Sequence, residues 1–484
     1  MDRLSISNFS STGMNSDSTF PAGFVWGAAS ASYQIEGGVQ EHGRGDSVWD
    51  VFCRQPGLVV NGHTGERSCD HVRRYAEDVA LMREMNLAAY RFSIAWPRVM
   101  PEGRGTVSEA GLGFYDRLVD ELLAKGVTPW ATLFHWDFPQ ALFHAGGWLN
   151  RDSASWFAEY AAVVVDRLSD RVHHWITLNE PQIYIGLGHY DTKHAPGIKY
   201  PFSQALLASH HTLLAHGRAA QVIRARAKTK PTVGWAPVGK VDVPATESAA
   251  DIDAARRSTM KGTDRHFFTN TWFGDPVILG HYPEDALAAF GKDAPVPHAG
   301  DMETIAQPLD FYGLNIYSGG RVKAGSDGSG VTSVDHGVGH ARNALNWPIV
   351  PESLRWGPRF IHERYGLPVV ITENGMTNLD WVHADGRVHD PQRIDFTRRY
   401  LLELRKAIDD GADIRGYFHW SVMDNFEWAE GYKDRFGLIH VDYQTLRRTI
   451  KESGRWYAQV IASNGANLSP APGPVEPKPV AVRA

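Results

Sequence analysis

Residues 174–181 read His-Trp-Ile-Thr-Leu-Asn-Glu-Pro: a strand-forming run, then Asn179 and Glu180, then a proline that opens a new segment. Short runs of β-branched and aromatic residues fit buried strands, and a polar pair at the end of one fits the mouth of a parallel sheet. Comparable runs cover residues 24–29, 88–94, 128–134, 232–236, 311–316, 369–372 and 414–419, which with 174–178 makes eight. Helical patterns lie between most of them, such as Tyr75 to Met85, where Val79, Met82 and Met85 share a face, and Ser153 to Leu168. Eight strand–helix repeats over roughly 400 residues predict a single (β/α)₈ TIM barrel with long loops on its C-terminal face. A doubly wound sheet would need a glycine-rich phosphate loop after the first strand, and none is present.

Outside this pattern the chain changes character. Residues 1–19 are rich in Ser, Thr and Asn, and the segment 464–484 carries Pro470, Pro472, Pro474, Pro477 and Pro479. Both read as disordered flanks of one barrel domain over residues 20–463. The polar stretches 237–265 and 318–345 read as unpaired loops too long for plain connections, and since each follows a strand they belong on the C-terminal face of the barrel. Lys and Arg total 49 against 55 Asp and Glu, a net charge of −6, which has the wrong sign for nucleic acid or an anionic membrane. Two cysteines exclude a disulfide framework, and no signal-peptide pattern opens the chain, so a cytoplasmic protein is expected.

Barrel enzymes keep their chemistry at the C-terminal strand ends, and here those ends are polar. The second run contains Arg91, His135 follows the third, Asn179 and Glu180 the fourth, Asn315 and Tyr317 mark the sixth, Glu373 the seventh and Trp420 the eighth. Glu180 and Glu373 each follow a hydrophobic strand directly, and one closed barrel can point both into one pocket. Paired carboxylates across one bond are the equipment of glycoside hydrolysis. Read singly, either glutamate could be a capping residue, Trp136, Trp420 and Trp428 could be core aromatics, and His135 an interior histidine. The 22 histidines raise the question of a metal, but His173-His174 and His210-His211 are adjacent, which would turn their rings to different faces, and HExxH is absent. No metal and no cofactor are expected.

The chain resembles glycoside hydrolase family 1 over about residues 20–460. The resemblance rests on Phe20–Gly37 (FPAGFVWGAASASYQIEG), Tyr90–Arg98 (YRFSIAWPR), His135–Gln140 (HWDFPQ), Thr177–Pro181 (TLNEP), Leu309–Tyr317 (LDFYGLNIY), Ile371–Gly375 (ITENG) and Trp420–Tyr443, with DNFEWAEGY and RFGLIHVDY, all in the family's order. It implies the (β/α)₈ fold and a retaining exo-β-glycosidase, most often acting on β-glucosides. By the same resemblance Glu180 is the acid/base and Glu373 the nucleophile, with Arg91, Asn315 and Tyr317 supporting the nucleophile. Asn179 would meet the sugar 2-hydroxyl, Gln34, His135, Glu427 and Trp428 the other hydroxyls, and Trp420 would lie under the ring.

The residue chemistry agrees with these roles. An Arg and a phenol beside Glu373 would hold it ionised, while Glu180, close to a second carboxylate, would keep a proton to give. Glu427 separates the chain from the family's 6-phospho-β-glycosidases, since a carboxylate there would repel a 6-phosphate. His189 and Thr192 depart from the family's more usual Tyr and Gly, which bears on aglycone preference. The expected partner is a small β-glucoside or oligosaccharide. The alternatives are a β-galactosidase, β-fucosidase or transglycosidase on the same site, a non-catalytic glycan-binding barrel, and a metal-dependent barrel hydrolase. The last would need a His-x-His where the chain has Trp26-Gly27-Ala28.

Overall fold

The computed structural model describes residues 19–326 and 330–468. Eight parallel strands close into a barrel: β1 (Val25–Ala29), β2 (Ala89–Ser93), β3 (Thr128–Phe134), β4 (His174–Asn179), β5 (Thr232–Ala236), β6 (Phe311–Asn315), β7 (Val369–Asn374) and β8 (Ile414–Trp420). Each strand pairs with its neighbours in sequence, and β1 closes the ring on β8. The single (β/α)₈ barrel read from the sequence is therefore the fold. The strands are buried almost throughout because helices cover the outside and side chains fill the inside.

The filling is aromatic. Trp130 stacks on His174 with centroids 4.2 Å apart and meets Phe311 and Phe418 at 5.4 and 5.0 Å. A Cβ on Gly27 would come within 2.5 Å of the Phe418 ring, and one on Gly234 within 2.4 Å of Phe311, so glycine is required where those rings cross the barrel. The interior is a packed core whose lower layers leave only the upper end free for a ligand.

The helix Ser153–Leu168 has the expected bounds and buries Trp156, Phe157, Tyr160, Val164 and Val165. Its Tyr160 hydroxyl donates to the carbonyls of Ile94 and Leu133, two residues at the tops of β2 and β3. The helix expected over Tyr75–Met85 spans His71–Glu84. It starts earlier because His71 bonds Asp78 two turns on, a polar pairing that apolar periodicity does not register.

Two readings change. The stretches 237–265 and 318–345 are not unpaired loops: Asp242–Pro244, Gly320–Ala324 and Val331–Ser333 form a three-stranded sheet, flanked by the helix Ala249–Thr259. His210 and His211, adjacent on the enclosed helix Phe202–Arg226, turn to different partners, as their adjacency implies. His210 meets Asp301 and Tyr282, and His211 meets the Trp148 carbonyl. The packed chain also runs past residue 464. The Asn464 side chain accepts from the Trp26 indole at 2.9 Å and donates to the Phe20 carbonyl at 2.7 Å, and Leu468 is buried. The expected flanks at 1–18 and 469–484 lie outside the described residues. Among the described residues, no helix is long and apolar enough to cross a membrane.

Candidate active site

At the C-terminal end of the barrel lies a cavity of about 530 Å³ lined by His135, Glu180, Asn315, Tyr317, Glu373, Trp420, Glu427 and Trp428, among others. Arg91, Asn179 and Gln34 sit behind this lining, fully buried, and reach the pocket through their hydrogen bonds. The eleven residues read from the sequence thus converge on one place, eight on its wall and three beneath it.

Glu373, near the end of β7, is held from two sides. Arg91 Nη1 donates to its Oε1 at 2.6 Å, and the Tyr317 hydroxyl donates to its Oε2 at 2.6 Å. The guanidinium is itself fixed by the Thr372 carbonyl, Thr132 Oγ1 and Asn179 Oδ1. Register shifts in the β7 pairings fall between Ile371 and Glu373 on one side and between Ile371 and Asn374 on the other. Such irregularities re-aim side chains at strand ends. The chain then turns hard against β8, and a Cβ on Gly375 would lie 1.8 Å from the Trp420 carbonyl oxygen.

Glu180 has different company. Asn315 Nδ2 donates to its Oε1 at 2.8 Å and to Asn179 Oδ1 at 3.0 Å, while Thr372 Oγ1 fixes the Asn315 oxygen. Asn315, expected beside the nucleophile, bonds the other carboxylate and its neighbour, and its amide also helps to lower Glu373. β6 places it between the two glutamates, with its amide nitrogen toward both. Glu180 adopts φ +47°, as Trp136 does φ +80° and Trp428 φ +47°. Left-handed backbone at non-glycine residues costs about 1–3 kcal/mol each and persists where surrounding packing imposes it.

Burial and the nearby Glu373 raise the Glu180 carboxyl well above the ordinary range. Burial raises Glu373 as well, but Arg91 and Tyr317 pull it back, so it does not titrate as a freely ionised side chain. Within the pair the proton belongs on Glu180. Tyr317 is pushed far up by burial and by the Glu373 charge, which keeps it a donor. Burial holds His135 neutral.

One wall of the cavity is aromatic with a polar edge. His135 stacks on Trp420 and Trp428 with centroids 5.6 and 5.9 Å apart, and Trp428 is wedged against Trp136 at 4.5 Å and Trp49 at 4.6 Å. Asn179 Nδ2 lies 3.0 Å from His135 Nε2. Gln34 Nε2 donates to the Phe426 carbonyl at 2.8 Å and Asn425 Oδ1 at 3.1 Å, and lies 3.5 Å from Glu427 Oε2. Glu427 is pushed up to about 8, chiefly by burial, then by Asp434, Glu373 and Glu430. The repulsion of a 6-phosphate expected of its charge therefore strengthens as pH rises through that value.

His189 does not face the pocket. It is buried with Nδ1 2.8 Å from the Tyr184 carbonyl, so its departure from the family pattern is absorbed inside the fold, and Lys193 and His194 are what this segment offers the cavity. The outer wall also includes Phe268, Leu345 and Trp347, which sequence reasoning did not single out. They lie in irregular segments after β5 and β6, where no periodicity marks a side chain as facing inward.

Comparison with known proteins settles the lineage. The model for Glycosyl hydrolase family 1 matches residues 16–466. The chain belongs to that family. It is 44% identical to β-glucosidase A of Thermotoga maritima over 92% of this chain and 98% of that protein. It is 45% identical to thermostable β-glucosidase B of Thermobispora bispora over 93% and 92%. Among solved structures, the T. maritima family 1 β-glucosidase in complex with glucoimidazole superposes with a TM-score of 0.84 at 44% identity, covering 92% of this chain and 99% of that one.

Proposed function

We propose that this family 1 member, a β-glucosidase, removes terminal non-reducing β-D-glucosyl residues from cellobiose, short oligosaccharides and aryl glucosides by double displacement. One observation carries the reading: two carboxylates share a pocket in opposite settings, Glu373 gripped by a guanidinium and a phenol, Glu180 by a neutral amide. In the first step Glu373 attacks the anomeric carbon while Glu180 gives its proton to the departing glycosidic oxygen. The ester formed at Glu373 carries no charge. The like-charge neighbour that raised Glu180 is then gone, its proton affinity falls, and it can take a proton from water. That water attacks the anomeric carbon from the side the aglycone left, Glu373 departs as a carboxylate, and the sugar leaves with its β configuration.

The pocket's chemistry supports a sugar ring as its occupant. Indoles suit the apolar face of a pyranose, while carboxyl, amide and imidazole groups suit its rim of hydroxyls. β-Galactosidase, β-fucosidase and transglycosidase activities would use the same machinery, and the 41% identical relative from Bifidobacterium breve is named a bifunctional β-D-glucosidase/β-D-fucosidase. The test is a panel of nitrophenyl β-glycosides, with the first-formed product followed by NMR. Fastest turnover of the glucoside and an initial β-anomer are expected. An initial α-anomer would overturn the mechanism, and a faster galactoside the substrate.

A further inference from the structure

The segments that follow β4, β5 and β6, across the ring from β8 and β1, give the cavity a second and different side. Ile183 and Leu187 come three and seven residues after Glu180, and all three line the cavity. A group bonded to the oxygen that Glu180 protonates thus has aliphatic side chains beside it. Phe268, Leu345 and Trp347 extend this surface, and Trp347 packs on the Tyr317 ring with centroids 5.5 Å apart. Phe268 is held there by its own segment. Its neighbour Phe267 is buried against Tyr190 and Phe202, both at 5.5 Å, and the Phe268 amide donates to His266 Nδ1 at 3.1 Å. Phe268 is left 45% exposed in the cavity wall and Trp347 36%. Single apolar side chains open to water are ordinary, but large ones that share a concave cavity mark surface for a ligand to cover.

The polar groups of this side are engaged with one another. Among the described residues, the polar side chains that line the cavity beyond the eleven above are Lys193, His194, Lys240, Asp242, Ser318 and Glu430. Lys193 pairs with Glu430 at 3.2 Å, and Lys240 donates to the Ser258 carbonyl at 3.2 Å. Asp242 accepts from the Ser258 hydroxyl at 2.7 Å, and Ser318 donates to the Pro348 carbonyl at 2.6 Å. His194 lies against the indoles of Trp49 and Trp136, with centroids 5.4 and 5.6 Å away. A second sugar placed here would exchange hydrogen bonds with water for few in return, whereas an alkyl or aryl group has none to lose.

We propose that the leaving-group side of this pocket takes an apolar alkyl or aryl aglycone in preference to a second sugar, and that Phe268 is its specificity-determining residue. The inference rests on the β-glucosidase reading and names the class of aglycone within it. The cavity, about 530 Å³, is of the size that holds a drug-sized ligand, which leaves room for such a group beside one sugar ring.

A series of alkyl β-glucosides from ethyl to hexyl tests this, because the leaving alcohols are of nearly equal acidity and differ only in apolar length. For the wild-type protein, kcat/KM should rise about two- to fourfold per added methylene, and hexyl glucoside should exceed cellobiose. In Phe268→Ala the hexyl-to-ethyl ratio of kcat/KM should fall about three- to tenfold, and Phe268→Leu, which keeps an apolar cover, should recover most of it. A purely structural role would lower both substrates alike and leave that ratio unmoved.

A flat alkyl series, or cellobiose turned over faster than hexyl glucoside, would overturn the proposal. An unmoved ratio in a folded Phe268→Ala would overturn the role of Phe268. The wild-type series needs no variant, so it decides the aglycone class even if Phe268→Ala does not fold. Absence of hydrolysis with every β-glucoside would instead fail the β-glucosidase reading. Calorimetric binding of the same glucosides would then judge the apolar wall separately, with affinity that rises with chain length supporting it and a flat series overturning it.

Discussion

Tyr317→Phe removes one atom from the site and leaves the ring among Trp347 and Phe436, so it isolates the hydrogen bond to Glu373. That bond is 2.6 Å long, is buried, and ends on a carboxylate whose charge it stabilises. Hydrogen bonds to charged groups contribute about 1.5–3 kcal/mol, which is about one to two units of pKa and about 10- to 150-fold in rate. The loss falls on the second step, when Glu373 must leave as a carboxylate with only Arg91 to receive its charge. The pH dependence follows with a definite sign. Tyr317 lowers the Glu373 pKa, so its removal raises the lower macroscopic pKa of the carboxylate pair and moves the acid limb of kcat/KM to higher pH. The assay is a pH profile with dinitrophenyl β-glucoside, whose leaving group needs no proton, so that the second step limits kcat. A kcat within about twofold of wild type together with an unmoved acid limb would refute the argument.

Two further outcomes are expected. Because Glu427 is neutral below about pH 8 and ionised above it, discrimination against a 6-phosphorylated glucoside should grow as pH rises from 6 to 9. Glu427→Gln should flatten that growth, as judged by the ratio of kcat/KM values, and a wild-type ratio independent of pH would contradict the assignment. Asn464→Ala strands the buried Trp26 indole and the Phe20 carbonyl, and should lower stability by about 1–3 kcal/mol in urea denaturation without changing KM. An unchanged midpoint would show that the closure of β1 by residue 464 contributes nothing.

The barrel was legible because parallel strands buried on both faces leave a short, dense apolar signature. All eight runs became strands, and none moved by more than two residues at either end. Glu180, Glu373 and Arg91 were legible for a related reason: ionisable residues on or directly after such runs have few structural excuses. Amide directions were not. Asn315 is expected beside the nucleophile, but its direct bond to Glu180 is set by the Thr372 hydroxyl on its oxygen, which turns the nitrogen toward both carboxylates. His189 shows the converse. A departure from a family pattern drew attention to a side chain that the fold buries against Tyr184. The sheet built from residues 242–244, 320–324 and 331–333 joins segments far apart in the chain, and its short strands carry little alternation of their own.

The division of labour between Glu180 and Glu373 is the centre of this account, and chemical rescue of their alanine variants tests it most directly. Glu373→Ala should be nearly inert on every substrate, because no glycosyl-enzyme can form. Glu180→Ala should still be glycosylated by dinitrophenyl β-glucoside, then stall until azide enters the vacated space and attacks the sugar. NMR of the rescued product should show β-glucosyl azide from Glu180→Ala and, if any product forms, the α-azide from Glu373→Ala. The opposite pairing would mean that the two roles are exchanged, and undiminished activity in both variants would place the chemistry outside this pocket.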